Sequence, residues 1–421
     1  MSHMRWLRPA LAVACALSPL AVHAQTAPLV PPPQAAPTRD EVEQTKSKIQ
    51  KMYDEFLAWK AKLPFTIGAG VYIYYYQPVD YTTFAPTDRT GQLEVYAFYL
   101  KLDSEWHGLG GHLEMRFRDG GHLSTGAGDD YLRPYFTSNV WFQELYAYYQ
   151  PRPWFRVRAG KMYRNVGILW DDSFFGNLLY MDGLKLNPDW GVGVDGTLED
   201  TTGSFALTYS TQYILNTDGV QGGVTYARGI GAAPGALGYD PRTYGPDPEA
   251  ELDSGGHRQT RQRKLLTGRV AATVRPVKWV ALTAGVSGLS GEVRRSSSVD
   301  NVHINGRGTN VAADLTLAIS HLTVFGEYQR QLGDAVRSAD YAWIGARFQW
   351  KGLQVRMSTS YVHYNVEPVV QEYMLVPGVQ YTIGPLTILL EYDEWRRKDP
   401  RVAKAWQKYD RSLNAVLALG F

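Results

Sequence analysis

From residue 65 onward, apolar and polar side chains exchange places at every step along one short run after another. Leu113, Met115 and Phe117 alternate with His112, Glu114, Arg116 and Arg118; Phe155, Val157 and Ala159 alternate with Arg156 and Arg158. Val311, Ala313, Leu315, Leu317 and Ile319 alternate with Asn310, Ala312, Asp314 and Thr316, and Ala342 to Trp350 repeats the pattern against Tyr341 to Gln349. Successive side chains of a strand point to opposite faces, so each run predicts a strand with one apolar and one polar face. Sixteen such runs are legible, near 65–76, 92–104, 109–118, 139–150, 154–163, 190–199, 203–214, 263–275, 279–289, 308–319, 321–331, 339–350, 353–364, 372–383, 385–395 and 409–421. Tight turns (Pro151-Arg152-Pro153, Asp200 to Gly203, Pro276-Val277-Lys278, Lys351-Gly352, Gly384-Pro385) alternate with long connections near 77–91, 119–138, 164–189, 215–262, 290–307, 332–338, 365–371 and 396–408.

Before the strands the periodicity changes. Val42, Thr45, Ile49, Met52, Phe56, Trp59 and Leu63 recur at alternating steps of three and four, behind a capping box of Thr38 and Glu41 and ahead of Pro64. This predicts a helix over 38–63, either an amphipathic helix lying on the rest of the chain or a short self-associating coiled coil. Residues 25–37 are a proline-rich spacer. Residues 1–24 read as a secretory leader, with Arg5 and Arg8 before the apolar core Leu11 to Leu20 and a small-residue cleavage site at Val22-His23-Ala24. The only cysteine, Cys15, lies inside that leader; a lipoprotein reading of it would require an apolar core that stops too early.

Composition then decides the environment. The chain carries 43 basic and 41 acidic residues, and the leader holds two arginines and no acid, so the mature chain is neutral and has no global field to draw nucleic acid. After the leader no stretch approaches the roughly 18 apolar residues of a membrane helix. Aromatics nevertheless reach 13%, with 28 tyrosines. An arginine facing lipid at mid-membrane costs about 2–4 kcal/mol, so the charged faces must look inward, and those faces are too polar to fill a wide dry core. The predicted fold is all-β, a transmembrane antiparallel up-and-down barrel of about sixteen strands over 64–421, preceded by the helix. Trp106, Trp154, Trp279 and Trp350 beside short turns are candidate interface rings, as are Tyr96, Tyr146, Tyr148, Tyr149, Tyr361, Tyr373, Tyr381 and Tyr392, some of which ordinary sheet packing would explain.

The candidate chemistry lies on the inner face. Arg116 and Arg118 on the third run and Arg156 and Arg158 on the fifth flank Glu144 on the fourth, with Arg269, Arg347 and Arg356 on the opposite half. With Arg275 these outnumber Glu114, Glu144, Asp195, Asp314, Glu327 and Glu391 by only two, so clustering would have to carry any selectivity. Guanidinium groups can lower a barrier for anions and hold carboxylate or phosphate, or they can brace the wall through Arg–Glu pairs. The aromatic-rich connection 164–189 could fold into the lumen, where Asp171, Asp172, Asp182 and Lys185 would face the arginines, or it could cover a subunit interface. The loop 215–262 holds scattered acids without EF-hand spacing. The run Arg396-Arg397-Lys398, with Arg401, Lys404 and Lys408, could meet lipopolysaccharide phosphates or be a solvated loop. Gly191 to Gly196 has no βαβ surroundings to make it a nucleotide loop. His303, His321 and His363 belong to no recognisable catalytic motif and no His pair has zinc spacing, so neither an enzyme, a metal nor a cofactor is expected.

The alternation from Leu413 to Phe421, ending on an aromatic, resembles the C-terminal strand of Gram-negative outer-membrane barrels. That resemblance implies an assembly signal at Phe421 read by the barrel-assembly machinery. With the stalk 38–63, the run Trp154 to Lys161 and the loop after it, the chain resembles the sixteen-stranded trimeric porins. Within them it is most similar to phosphate-selective and dicarboxylate-type porins that begin with a coiled coil. The resemblance implies an outer-membrane homotrimer with a periplasmic helix, Val42, Ile49, Met52, Phe56, Trp59 and Leu63 at its seam, surrounded by lipid and lipopolysaccharide. It further implies passive diffusion of small hydrophilic solutes, with anions such as carboxylates or phosphate favoured. A non-conducting barrel that acts as a scaffold through its helix is the alternative.

Overall fold

The computed structural model describes residues 65–81, 92–117, 140–168, 189–216, 259–297, 302–333, 338–365, 369–398 and 407–420, together with 48, 51, 54, 55, 57–60, 62 and 63 before them. Sixteen strands run from β1 (Phe65–Tyr81), β2 (Gln92–Trp106), β3 (Leu109–Phe117) and β4 (Val140–Arg152) to β5 (Phe155–Met162), β6 (Asp189–Glu199), β7 (Phe205–Asn216) and β8 (Gln259–Val277). They continue with β9 (Val280–Ser297), β10 (Val302–Ile319), β11 (Leu322–Gly333), β12 (Ala339–Trp350), β13 (Leu353–Tyr364), β14 (Val370–Ile383), β15 (Leu386–Lys398) and β16 (Gln407–Gly420). Every strand pairs antiparallel with its sequence neighbours, and β1 pairs with β16 to close the cylinder. Closure leaves no edge whose backbone N–H and C=O groups lack partners.

All sixteen expected runs are strands. The largest differences are at β8, β9 and β10, which extend past the alternation toward their long connections. There Arg294 pairs with Arg261 and Asn305, and continued backbone pairing outweighs the lapse in apolar periodicity. The short connections lie at one end. His107 and Gly108 both take positive φ, the geometry of a two-residue turn matched to strand twist. Between β6 and β7, Asp200 accepts from the Thr202 hydroxyl at 2.6 Å and from the Phe205 N–H at 2.9 Å. These bonds hold its carboxyl below the usual aspartate range.

The outer face is apolar from strand to strand. Leu315, midway along the apolar run Val311 to Ile319 of β10, is 51% exposed and Ile344 on β12 is 57% exposed, with Val270, Val286, Met357, Leu390 and Leu413 exposed on other strands. Such a continuous belt is far larger than any exposed patch a water-soluble monomer carries. Trp106, Trp154, Trp279 and Trp350 are exposed beside the short turns, as expected of interface rings. Tyr149, Tyr361, Tyr373, Tyr381 and Tyr392 share the outward register, whereas Tyr146 and Tyr148 point the other way. No described helix is long and apolar enough to cross a membrane, which says nothing of strands.

The chain divides into two compact units, Met1–Lys62 and Leu63–Phe421. In the first, Lys48, Lys51, Asp54, Glu55 and Leu57–Lys60 have helical backbone, and Trp59 is exposed. Val42, Ile49, Met52 and Phe56 lie outside the described residues, as do the leader, the spacer and Phe421.

Candidate functional site

The inner wall takes the other member of every alternating pair. On β3 to β6 this places His112, Glu114 and Arg116 beside Tyr146 and Tyr148, then Arg156 and Arg158, then Asp195. Arg116 donates to Glu114 Oε1 from Nε at 2.9 Å and Nη2 at 2.8 Å, while Lys101 on β2 holds Glu114 Oε2 at 2.9 Å. Arg156 donates to Asp195 Oδ2 from Nε at 2.8 Å, and Arg158 Nε lies 2.7 Å from Asp195 Oδ1. The guanidiniums of Arg156 and Arg158 also cover the rings of Tyr148 and Tyr146, 5.8 and 5.4 Å from the centroids.

Arg116 is directed to an acid of its own strand, and Arg156 and Arg158 to Asp195 on the adjacent strand. The sequence tally also passed over Asp103, Glu372 and Asp393, whose registers place them on the inner face. Two arginines share Asp195, as Arg116 and Lys101 share Glu114. Arg118 lies outside the described residues.

On the opposite half, arginines reach acids two strands away. Arg269 on β8 donates to Asp314 Oδ1 on β10 at 2.6 Å, passing over Gly285 on β9. A methyl group at Gly285 would stand 2.7 Å from Arg269 Nη2 and 2.6 Å from Asp314 Oδ2. Arg356 on β13 likewise pairs with Glu391 on β15 across Gly378 on β14, where a methyl group would meet Arg356 Nε at 2.7 Å. Arg347 is half-buried on the inner register beside Arg356. Arg275 sits at the short-turn rim with Glu199 at 3.1 Å. Aromatic rings complete this half: Trp343 and Tyr341 are buried, with Phe325 4.7 Å from the Trp343 ring.

The segment after β5 enters this space. Asn165 N–H donates to Gln212 Oε1 on β7 (3.0 Å), Gly167 N–H donates to Ser287 Oγ on β9 (2.8 Å), and Ile168 N–H donates to Glu327 Oε2 on β11 (2.8 Å). Four strand spacings separate β7 from β11, about 19 Å of wall. The three residue steps from Asn165 to Ile168 span at most about 11 Å. They touch all three strands because side chains converge on the concave face, so residues 163–168 run inside the barrel. Val166 packs there with Ile214, Leu265, Leu289 and Ala312. Gly167 has φ of 63° and lies against Glu327, so a β-branched residue would be strained and blocked. Gly167→Val is expected to detach this stretch from the wall and broaden the single-channel conductance distribution, read in planar bilayers. Asp171, Asp172, Asp182 and Lys185 lie outside the described residues.

Three further inner residues escaped the sequence reading as a group: Asp103, His112 and Tyr146. Their only signal was the alternation itself, since no motif links them.

No family model matches the chain, and no curated protein matches it. Solved structures do match. OmpT of Vibrio cholerae in a trimer form aligns at 12% identity and a TM-score of 0.51, over 85% of this chain and 99% of that one. OmpF of Salmonella typhi in complex with daunomycin aligns at 9% and 0.52, over 85% and 97%. OprB of Pseudomonas putida aligns at 10% and 0.52, over 85% and 94%. In fold, then, this chain is a closed sixteen-stranded barrel similar to those of Gram-negative outer-membrane porins.

Proposed function

We propose that the protein is a non-enzymatic outer-membrane porin through which small hydrophilic solutes diffuse passively, without a cofactor or an energy input. The observation that carries this reading is the pairing of a continuous apolar outer belt with a charged inner wall around a closed cylinder. That combination suits lipid outside and water inside. Assembly as a homotrimer, with the helix of 38–63 in the periplasm and Phe421 serving barrel assembly, accompanies the reading. In this reading Arg396 and Arg411, on the outward register toward the long connections and both beside Glu394, would contact lipopolysaccharide phosphates.

Selectivity in this proposal is a mild preference for anions such as carboxylates, centred where Arg156 and Arg158 share Asp195. Strong selectivity is not expected, because ion pairing leaves little unbalanced charge along the wall. The test is current through the purified protein in planar bilayers: stepwise channels are expected, and silence at every voltage would favour the scaffold. In a KCl gradient the reversal potential is expected to show modest anion preference, and cation preference would overturn the assignment to Arg156 and Arg158. Removing residues 170–183 is expected to raise single-channel conductance; an unchanged value would take that segment, with Asp171, Asp172 and Asp182, out of the constriction.

A further inference from the structure

On β3 and β4, three side chains converge in a way the diffusion of solutes does not require. One ligand atom each from His112, Glu114 and Glu144 lies within 4.8 Å of the others. His112 Nε2 stands 3.6 Å from Glu144 Oε2, too far for a hydrogen bond, and has no hydrogen-bond partner although the atom is buried. Two ligands about 2.1 Å from one tetrahedral ion are about 3.4 Å apart, which is nearly this separation.

The imidazole is held for the purpose from its other side. His112 Nδ1 lies 2.6 Å from Asp103 Oδ1, which engages that nitrogen and leaves Nε2 turned toward Glu144. The Tyr146 ring stacks on the imidazole at 5.1 Å and fixes its plane. A carboxylate that orients a histidine for a metal on the far nitrogen is a recurring outer-shell arrangement. Glu114 accepts from Arg116 and Lys101 and still has lone pairs to offer. The side chains of His112 and Glu144 are 15% and 18% exposed, enough for water to complete the coordination.

We infer that His112, Glu144 and Glu114 form a lumen-wall site for a transition divalent cation of the zinc class, with Asp103 as the positioning residue. Imidazole beside carboxylates favours zinc over magnesium, which takes oxygen ligands and sheds water reluctantly. The site stands on side-chain geometry and does not depend on the barrel conducting.

Titration of the folded, detergent-solubilised full-length mature protein with ZnCl₂, followed by calorimetry, tests this. One Zn²⁺ per chain is expected, with MgCl₂ giving no comparable heat. His112→Ala and Glu144→Gln should each lower affinity at least tenfold, and Asp103→Asn about 10–100-fold. Circular dichroism establishes that each variant is folded, and Glu144→Asp, which keeps a carboxylate, should retain more affinity than Glu144→Gln if any variant is impaired. Absence of Zn²⁺ binding by the parent, binding unchanged in His112→Ala, or equal heat from Mg²⁺ would each overturn the assignment.

Discussion

Leu315→Arg is expected to destabilise the folded barrel by about 2–4 kcal/mol when unfolding is followed at equilibrium in phospholipid vesicles. The residue lies midway along the outward apolar run of β10, from Val311 to Ile319, and it is half exposed. A guanidinium there must either shed water into hydrocarbon or drag water in, and both are costly at the midplane. Thr316→Arg, one position away, turns the same charge to the inner face, where water and acids are at hand, and should cost no more than about 1 kcal/mol. The contrast between adjacent positions is the informative quantity, because any general loss of strand propensity affects both. Equal costs would mean that the outer face of β10 does not see lipid.

Glu391→Ala is expected to cost about 3–5 kcal/mol in the same assay, the effect of leaving one charge of a buried pair without its mate. The Glu391 side chain is 0% exposed and that of Arg356 is 6% exposed, so little water is present to substitute. Replacing both with methionine should recover much of the loss, since desolvation of two charges then disappears along with their attraction. Both residues make further contacts, so the coupling read from the double-mutant cycle, and not either single value, reports the pair. A cost below about 1 kcal/mol for Glu391→Ala would show that this part of the wall is wet and the pair screened.

These two experiments probe opposite faces of one sheet, and the faces differ in how far they were legible. The outer face is written in the period-two pattern. A strand such as Ala339 to Trp350 carries its whole lipid side in local order, and the expected bounds of β12 and β13 match the structure. The Trp residues beside short turns were legible for the same reason, since a turn residue and a neighbouring ring are close in sequence. Alternation already sets Tyr146 and Tyr148 on the face opposite Tyr149, and the register then places them across from Gly160 and Arg158.

The inner face was legible only as a list of charges. Alternation puts Arg356 and Glu391 on the same side, but it cannot say that a glycine on the strand between them leaves the gap their side chains cross. Neither could it bring His112 to Glu144 or aim its nitrogen, because that required the β3–β4 register with its irregularity at Glu114 and Met115. The apolar content of the segment after Arg164 left open a fold into the lumen or cover for a subunit interface; its described start, to Ile168, lies inside the barrel through the backbone donors of Gly167 and Ile168.

What the chain determined by itself is therefore what depends on neighbours a few residues apart: strand number, which face of each strand is apolar, and the sequence order of short turns and longer connections. What only the tertiary structure decided is which charges neutralise which. That outcome depends on closing the sheet, which sets the register and brings residues dozens to hundreds of positions apart onto one concave surface. Coulomb attraction acts across space at a few ångströms and is indifferent to sequence separation, so the balance of the inner wall appears only once the cylinder exists.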